Sequence, residues 1–314
     1  MSELSDKLIS LYQWLGGGVL LGFVLGKTLP NFVSGYLGIY LFWFGVPISI
    51  IAFVRRANLS GSVWMAPVTA WMGILLGAGM AGLWIWLWQR YRRRQELSPW
   101  ESPTQGSFLL ASMVGNTGYL GYPVNLTLVG NDYFAWALFY DFFGSMLGAS
   151  LVGVALAAKF GSNKSVSWDV LWAIAKNPIF WSIAFGLAFK QVTLPPNMEK
   201  GLQGLAWISL GLAIVLIGMR LSQLSSWKNL PRASVSLGIK MLVVPFIAGV
   251  VLSALGITGP PRLAMVLQMA MPPAFVTLVI AEAYDLDRQL SVTALAAGSI
   301  GLLLTLPLWV WLYG

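Results

Sequence analysis

The chain has 314 residues, 57% of them hydrophobic and only 10% charged, with a mean hydropathy of +0.74. Soluble domains carry about a quarter charged residues, so this composition belongs to a polytopic membrane protein. It contains neither His nor Cys, which excludes histidine- or thiol-held metals, His-dependent triads and disulfides, and no metal or other cofactor is expected.

A membrane span needs roughly 20 apolar residues. Ten are predicted: Leu8–Gly26, Tyr36–Val54, Trp64–Trp88, Ser107–Gly130, Tyr133–Ala158, Leu171–Phe189, Leu202–Met219, Ala233–Gly256, Leu263–Tyr284 and Leu290–Leu312. The two longest connections, Gln89–Gly106 and Lys159–Val170, are basic and polar. Pro47 in span two and Asn177–Pro178 at span six are expected to be kinks that shape a scaffold. Glycine runs at Gly16–Gly18 and at Gly73, Gly77 and Gly79 predict close helix packing.

The net charge of +8 lies in short gaps between apolar runs, so it is read as setting topology, not as binding nucleic acid. On the side that holds both termini stand Lys7, Arg55, Arg56, Lys190, Lys200 and Arg262; the other side, with the Arg90–Arg94 cluster, holds twice as many cations. That bias places both termini outside a cytoplasmic (plasma) membrane. Trp84, Trp86, Trp88 and Tyr91 beside the cluster predict an aromatic belt, and anionic lipid is a second use for the cluster itself.

The segment of span four from Gly115 to Asn131, GNTGYLGYPVNLTLVGN, carries glycines, a proline and asparagines where a plain helix is expected. Either a kinked helix or a broken helix lining a site satisfies the pattern; a break survives in lipid only where protein or a water-filled cavity covers it. PVNLTLVG from Pro123 matches PAFVTLVI from Pro273, and Gly144–Ser145 matches Gly298–Ser299. Five spans per half make the second half enter the membrane inverted. The expected organisation is a first five-helix repeat over 1–158, a short cytoplasmic linker over 159–170 and an inverted second repeat over 171–314. Inverted repeats with paired interrupted helices, here spans four and nine, point to a secondary transporter with a midplane site.

Candidate solute contacts are Asn116, Thr117, Gly118, Tyr119, Pro123 and Asn125 in span four. Span nine adds Gln268, Pro272, Pro273 and Thr277, with Met269 and Met271 as flexible lining. Freed amides at a half-helix start suit a carboxylate, although Asn and Thr also serve to satisfy freed backbone groups. Asp141 in span five and Lys240 in span eight are intramembrane charges, which pair or line a pathway. They are expected to influence each other's protonation, with Lys240 compensating a substrate carboxylate and Asp141 carrying a proton; a structural pair or a snorkelling Lys240 is the alternative. Glu282, Asp285 and Asp287 read as a solvated helix end or a gate.

GNTGYLGYP in span four, AKNPIF at span six and MPPAFVTLVIAEAYDLD in span nine resemble the auxin efflux carrier family, the PIN-like transporters. The resemblance covers nearly the whole chain. It implies an all-α fold of ten transmembrane helices with crossed broken helices four and nine, similar to bile-acid symporters and sodium/proton antiporters. It also implies a scaffold of spans one, two, six and seven, often dimeric through helices two and seven, and an elevator-like transport domain of the remainder. Its substrates are organic anions such as auxin, malate or malonate. Asn116, Thr117, Gly118 and Pro123 match the first crossover, and Pro272 and Ala274 the second; Val276 stands where the family often has asparagine, and Thr277 beside it is a possible substitute.

The expected function is therefore a non-enzymatic carrier of a small organic anion. A monovalent cation/proton antiporter and a non-transporting membrane sensor are the alternatives.

Overall fold

A computed structural model describes residues 2–59, 61–161, 176–223 and 227–314. Residues 162–170 of the expected linker and the first residues of span six, 171–175, lie outside the described residues. Every regular element among the described residues is helical.

In chain order the helices are α1 (Ser2–Thr28), α2 (Asn31–Val54), α3 (Met65–Arg94), α4 (Ser102–Met113), α5 (Gly121–Leu128) and α6 (Asn131–Phe160). They are followed by α7 (Pro178–Phe189), α8 (Pro196–Ser222), α9 (Leu230–Ala254), α10 (Gly259–Met269), α11 (Phe275–Ala283) and α12 (Arg288–Tyr313). Seven of these, α1, α2, α3, α6, α8, α9 and α12, are long and apolar enough to cross a membrane. The expected spans four and nine are each two short helices, α4 with α5 and α10 with α11. The Arg90–Arg94 cluster does not lie in a loop: α3 continues through it, which sets Arg92, Arg93 and Arg94 beside the last-turn carbonyls. Arg90 packs over Trp86 at 5.5 Å, and Trp84, Trp88 and Tyr91 stack along the same helix.

Three long helices contain π turns: Leu41–Gly45 in α2, Asp141–Met146 and Ala149–Gly153 in α6, and Ile239–Val243 in α9. Pro47 and Pro245 each follow a π turn at the second residue. A proline inside a helix lacks an N–H and crowds the carbonyl four residues back; a wide turn just before it gives that carbonyl room. Met241 O is that carbonyl for Pro245, and the buried indole Nε1 of Trp309 donates to it at 3.2 Å. Trp71 Nε1 donates likewise to Phe143 O, inside the α6 π turn, at 3.0 Å.

The chain divides into two compact units, each drawing on both halves of the sequence. The first comprises Met1–Val63, Gly118–Leu138 and Leu171–Ser225. Its seam is α1 on α8, where Gly18, Gly22 and Gly26 recur every four residues. A Cβ on Gly22 would strike Val215 O, and one on Gly218 would come within 2.9 Å of Gly22 Cα. Gly16 and Gly17 have nothing within 4 Å, so of the predicted run only Gly18 packs, against Ile214. Close backbone approach is how helices associate where lipid removes the hydrophobic drive. Arg55 ties three helix ends of this unit together by bonding Glu199 at 3.2 Å and the carbonyls of Phe189 and Val192.

The second unit comprises Trp64–Thr117, Phe139–Val170 and Ser226–Gly314. Here α3 presents Gly73 to Met269 and Tyr140 and Gly77 to Ser112 O, while Gly79 faces open space. On α6, Gly144 meets Ala70 and Gly148 meets Ile74. Asp287 caps α12 by accepting from Leu290 N at 2.9 Å. It also accepts from Thr104 at 2.9 Å, and its carbonyl accepts from Ser107 at 2.9 Å. The acidic group is therefore not simply a solvated end: Asp287 fastens α4 to α12, and Glu282 pairs with Arg288 at the surface.

Candidate functional site

Helix α4 ends at Met113, and Val114 already has extended backbone. Helix α5 begins at Gly121, so Pro123 is its third residue and does not break it. First-turn amides have no intrahelical acceptor, which is why a proline is tolerated there. The interruption is carried upstream, by the glycine-rich Val114–Leu120. On the other side α10 ends at Met269 and α11 starts at Phe275.

Within the second unit the two interruptions meet. Gly115 and Pro273 form an isolated antiparallel bridge. Asn116 N donates to Pro272 O at 2.7 Å and Ala274 N to Val114 O at 3.2 Å. The two bridged residues suit the position. Pro273 has no N–H to satisfy, and Gly115 has no Cβ where the strands approach closely. Breaking two helices frees backbone groups that would each cost several kcal/mol in hydrocarbon; the bridge satisfies four of them mutually. It also engages the Asn116 amide, so that N–H holds the crossing together instead of pointing at a solute.

The two charged residues Asp141 and Lys240 each reach this crossing from a π turn. Lys240, 4% exposed, donates from Nζ to Met269 O, the last residue of α10, at 2.6 Å. A cation there faces the negative end of the helix. An ideal Cβ on Gly115 would lie 3.0 Å from Lys240 Nζ and 3.2 Å from Met271 O, so the ammonium fits because residue 115 is glycine. Asp141 accepts a hydrogen bond from the Thr117 hydroxyl. Asp141 thus holds the Thr117 side chain, while Lys240 lies against Gly115, two residues earlier in the same interruption. Lys240 turns inward to a carbonyl and does not snorkel.

Of the other residues predicted for the site, Gln268 is fully buried in α10, and Pro272 and Pro273 are in the bridge. Thr277 is buried and donates back to Ala274 O at 2.7 Å, at the start of α11, while Val276 is exposed. Gly118, Tyr119, Pro123 and Asn125 belong to the first unit. There Gly118 O accepts from Tyr122 N at 3.4 Å, and Tyr119 packs against the cluster of Leu41, Ala213 and Leu216. Asn125 donates to Gly121 O at 2.9 Å, while its Oδ1 is buried with no hydrogen-bond partner. Sequence reasoning named Gly115 only as the start of the interruption and Met269 only as apolar lining, and foresaw neither the space that the glycine leaves nor the role of the Met269 carbonyl. The signal for the first was present in GNTG; a bare carbonyl leaves none.

Residues 19–310 match the family described as membrane transport protein. An uncharacterized transporter of Methanothermobacter thermautotrophicus is 27% identical over 296 residues, 93% of this chain and 93% of that one. One of Methanocaldococcus jannaschii is 29% identical over 212 residues, 66% and 68% of the two chains. The uncharacterized transporter YfdV of Escherichia coli K12 is 22% identical over 201 residues, 62% and 63%.

Proposed function

This chain belongs to the membrane transport protein family, the auxin efflux carriers, and from that premise we propose that it is a secondary carrier of a small organic anion. The observation that carries the reading is the Gly115–Pro273 bridge, because interrupted helices whose ends meet are where such carriers hold solutes. On this reading α4–α5 and α10–α11 are each one interrupted crossing, giving ten spans in two inverted sets of five. The protein lies in the cytoplasmic membrane with both termini outside, pairs with a second copy through the second and seventh spans, and has no enzymatic activity. The unit that holds the bridge moves as the elevator, and Asn116, Thr117 and Gln268 contact the anion. Asp141 carries a coupled proton, and the hydrogen bond that it accepts from the Thr117 hydroxyl holds its carboxyl beside the solute.

The test is uptake by proteoliposomes of labelled indole-3-acetate, malate and malonate, with and without an imposed pH gradient. Saturable uptake of at least one is expected, and Asp141→Asn is expected to remove its dependence on the gradient. Sodium-driven pH changes with no organic uptake would instead establish the cation/proton antiporter. Saturable binding without accumulation would establish a sensor.

A further inference from the structure

Lys240 is the only charged side chain among the buried residues described, and its hydrogen bond goes to backbone. Its Nζ donates to Met269 O at 2.6 Å, at the point where α10 stops and its last carbonyls lose their helical partners. A second carbonyl of the same interruption, Met271 O, lies around the same small space: a methyl on Gly115 would be 3.2 Å from that oxygen and 3.0 Å from Nζ. Exposed carbonyls at the C-terminal end of a half-helix are the groups that coordinate alkali cations in carriers built on interrupted helices. Here an ammonium stands among them, delivered by the Ile239–Val243 π turn and given room by glycine.

We propose that the ammonium of Lys240 is a built-in cation at the C-terminal end of α10, occupying the place of an alkali metal ion, so that the crossing receives an organic anion without co-bound sodium. The inference deepens the carrier reading and rests on it for the anion. The occupancy of the carbonyl site stands on the geometry alone. Arginine at 240 would keep a charge at the site, whereas alanine would leave carbonyl oxygens around a hole of ammonium size.

The test is thermal unfolding of the purified full chain at fixed ionic strength in sodium, potassium or choline chloride. The unsubstituted chain is expected to melt at one temperature in all three. Lys240→Ala is expected to acquire a saturable, sodium-specific rise of roughly 3 °C or more once sodium exceeds its Kd about tenfold, and Lys240→Arg none. A sodium-specific rise in the unsubstituted chain overturns the proposal, as does a cooperatively melting Lys240→Ala with no gain. Should Lys240→Ala fail to fold, the unsubstituted chain decides: equal melting together with undiminished anion uptake in sodium-free choline medium upholds the proposal, and a sodium requirement for uptake overturns it. Absence of uptake in every medium counts against the carrier reading, and the cation site is then judged on the melting data.

Discussion

Gly115 is the residue on which the crossing turns, since one methyl there would meet Lys240 Nζ at 3.0 Å and Cε at 3.1 Å. Gly115→Ala is therefore expected to push the ammonium off Met269 O and to destabilise the chain by about 1–3 kcal/mol, as overpacking does. The control is Gly79→Ala in α3, with nothing within 4 Å; it is expected to be neutral or to stabilise by about 0.5–1 kcal/mol, because glycine inside a helix is unfavourable. Thermal melts of the two variants side by side check both. Thr117→Val keeps the shape but deletes the hydrogen bond to Asp141. It is expected to shift the pH dependence of uptake, whereas Thr277→Val, which only loses a bond to its own helix cap, is expected to leave that dependence unchanged. These assignments were only partly legible in the sequence. Asn116, Thr117, Asp141 and Lys240 announced themselves as polar groups in apolar runs. Met269 could not, because its contribution is a carbonyl that every residue has. Thr277 and the Asn116 amide look identical in sequence to ligands, and only geometry shows them engaged in holding backbone.

At the scale of elements, the prolines teach the same lesson from the other direction. Pro123 reads as a breaker but sits harmlessly in the first turn of α5, while the break before it is made by glycines. Pro245 sits mid-span in α9, and its effect is absorbed by a π turn and by Trp309. Nothing in the spacing of Pro245 and Trp309 reveals that partnership, since they are on different helices. Trp309→Phe keeps an aromatic ring but removes the pyrrole N–H that donates to Met241 O, and a loss of at least about 1–3 kcal/mol is expected for the unsatisfied buried carbonyl. Combined with Pro245→Ala, which returns an amide to that carbonyl, the loss is expected to be smaller than the sum of the single effects; a cycle of melts measures the difference. The α1–α8 seam is written in the sequence as Gly18, Gly22 and Gly26, a spacing of four, whereas the denser run Gly16–Gly18 packs only at Gly18. Gly218→Val, whose side chain has only Val19 O and Phe23 N to enter, is expected to prevent that pairing and to give a chain recovered largely as aggregate on size exclusion.

For the molecule as a whole, composition and hydropathy were enough to identify a multi-pass helical protein, because lipid leaves the backbone no alternative. The division into two units was not readable from position along the chain, since each gathers segments from both halves. The proposed orientation rests on the distribution of Lys and Arg, and the absence of cysteine makes it directly measurable. Thr193→Cys is expected to react with an impermeant maleimide on intact spheroplasts, and Glu96→Cys only after permeabilisation. The opposite pattern would invert the topology and with it the sidedness of the Arg90–Arg94 cluster.

The bridge between Gly115 and Pro273 has a consequence for how the protein comes into being. The ribosome releases Val114 and Asn116 into the bilayer long before Pro272 and Ala274, the groups that complete their hydrogen bonds, have been made. Until then the nascent chain holds an open backbone in lipid and depends on the insertion machinery to shelter it. A chain halted after Phe160 is expected to be degraded rapidly in pulse-chase labelling, and co-synthesis of the missing remainder to prolong its life.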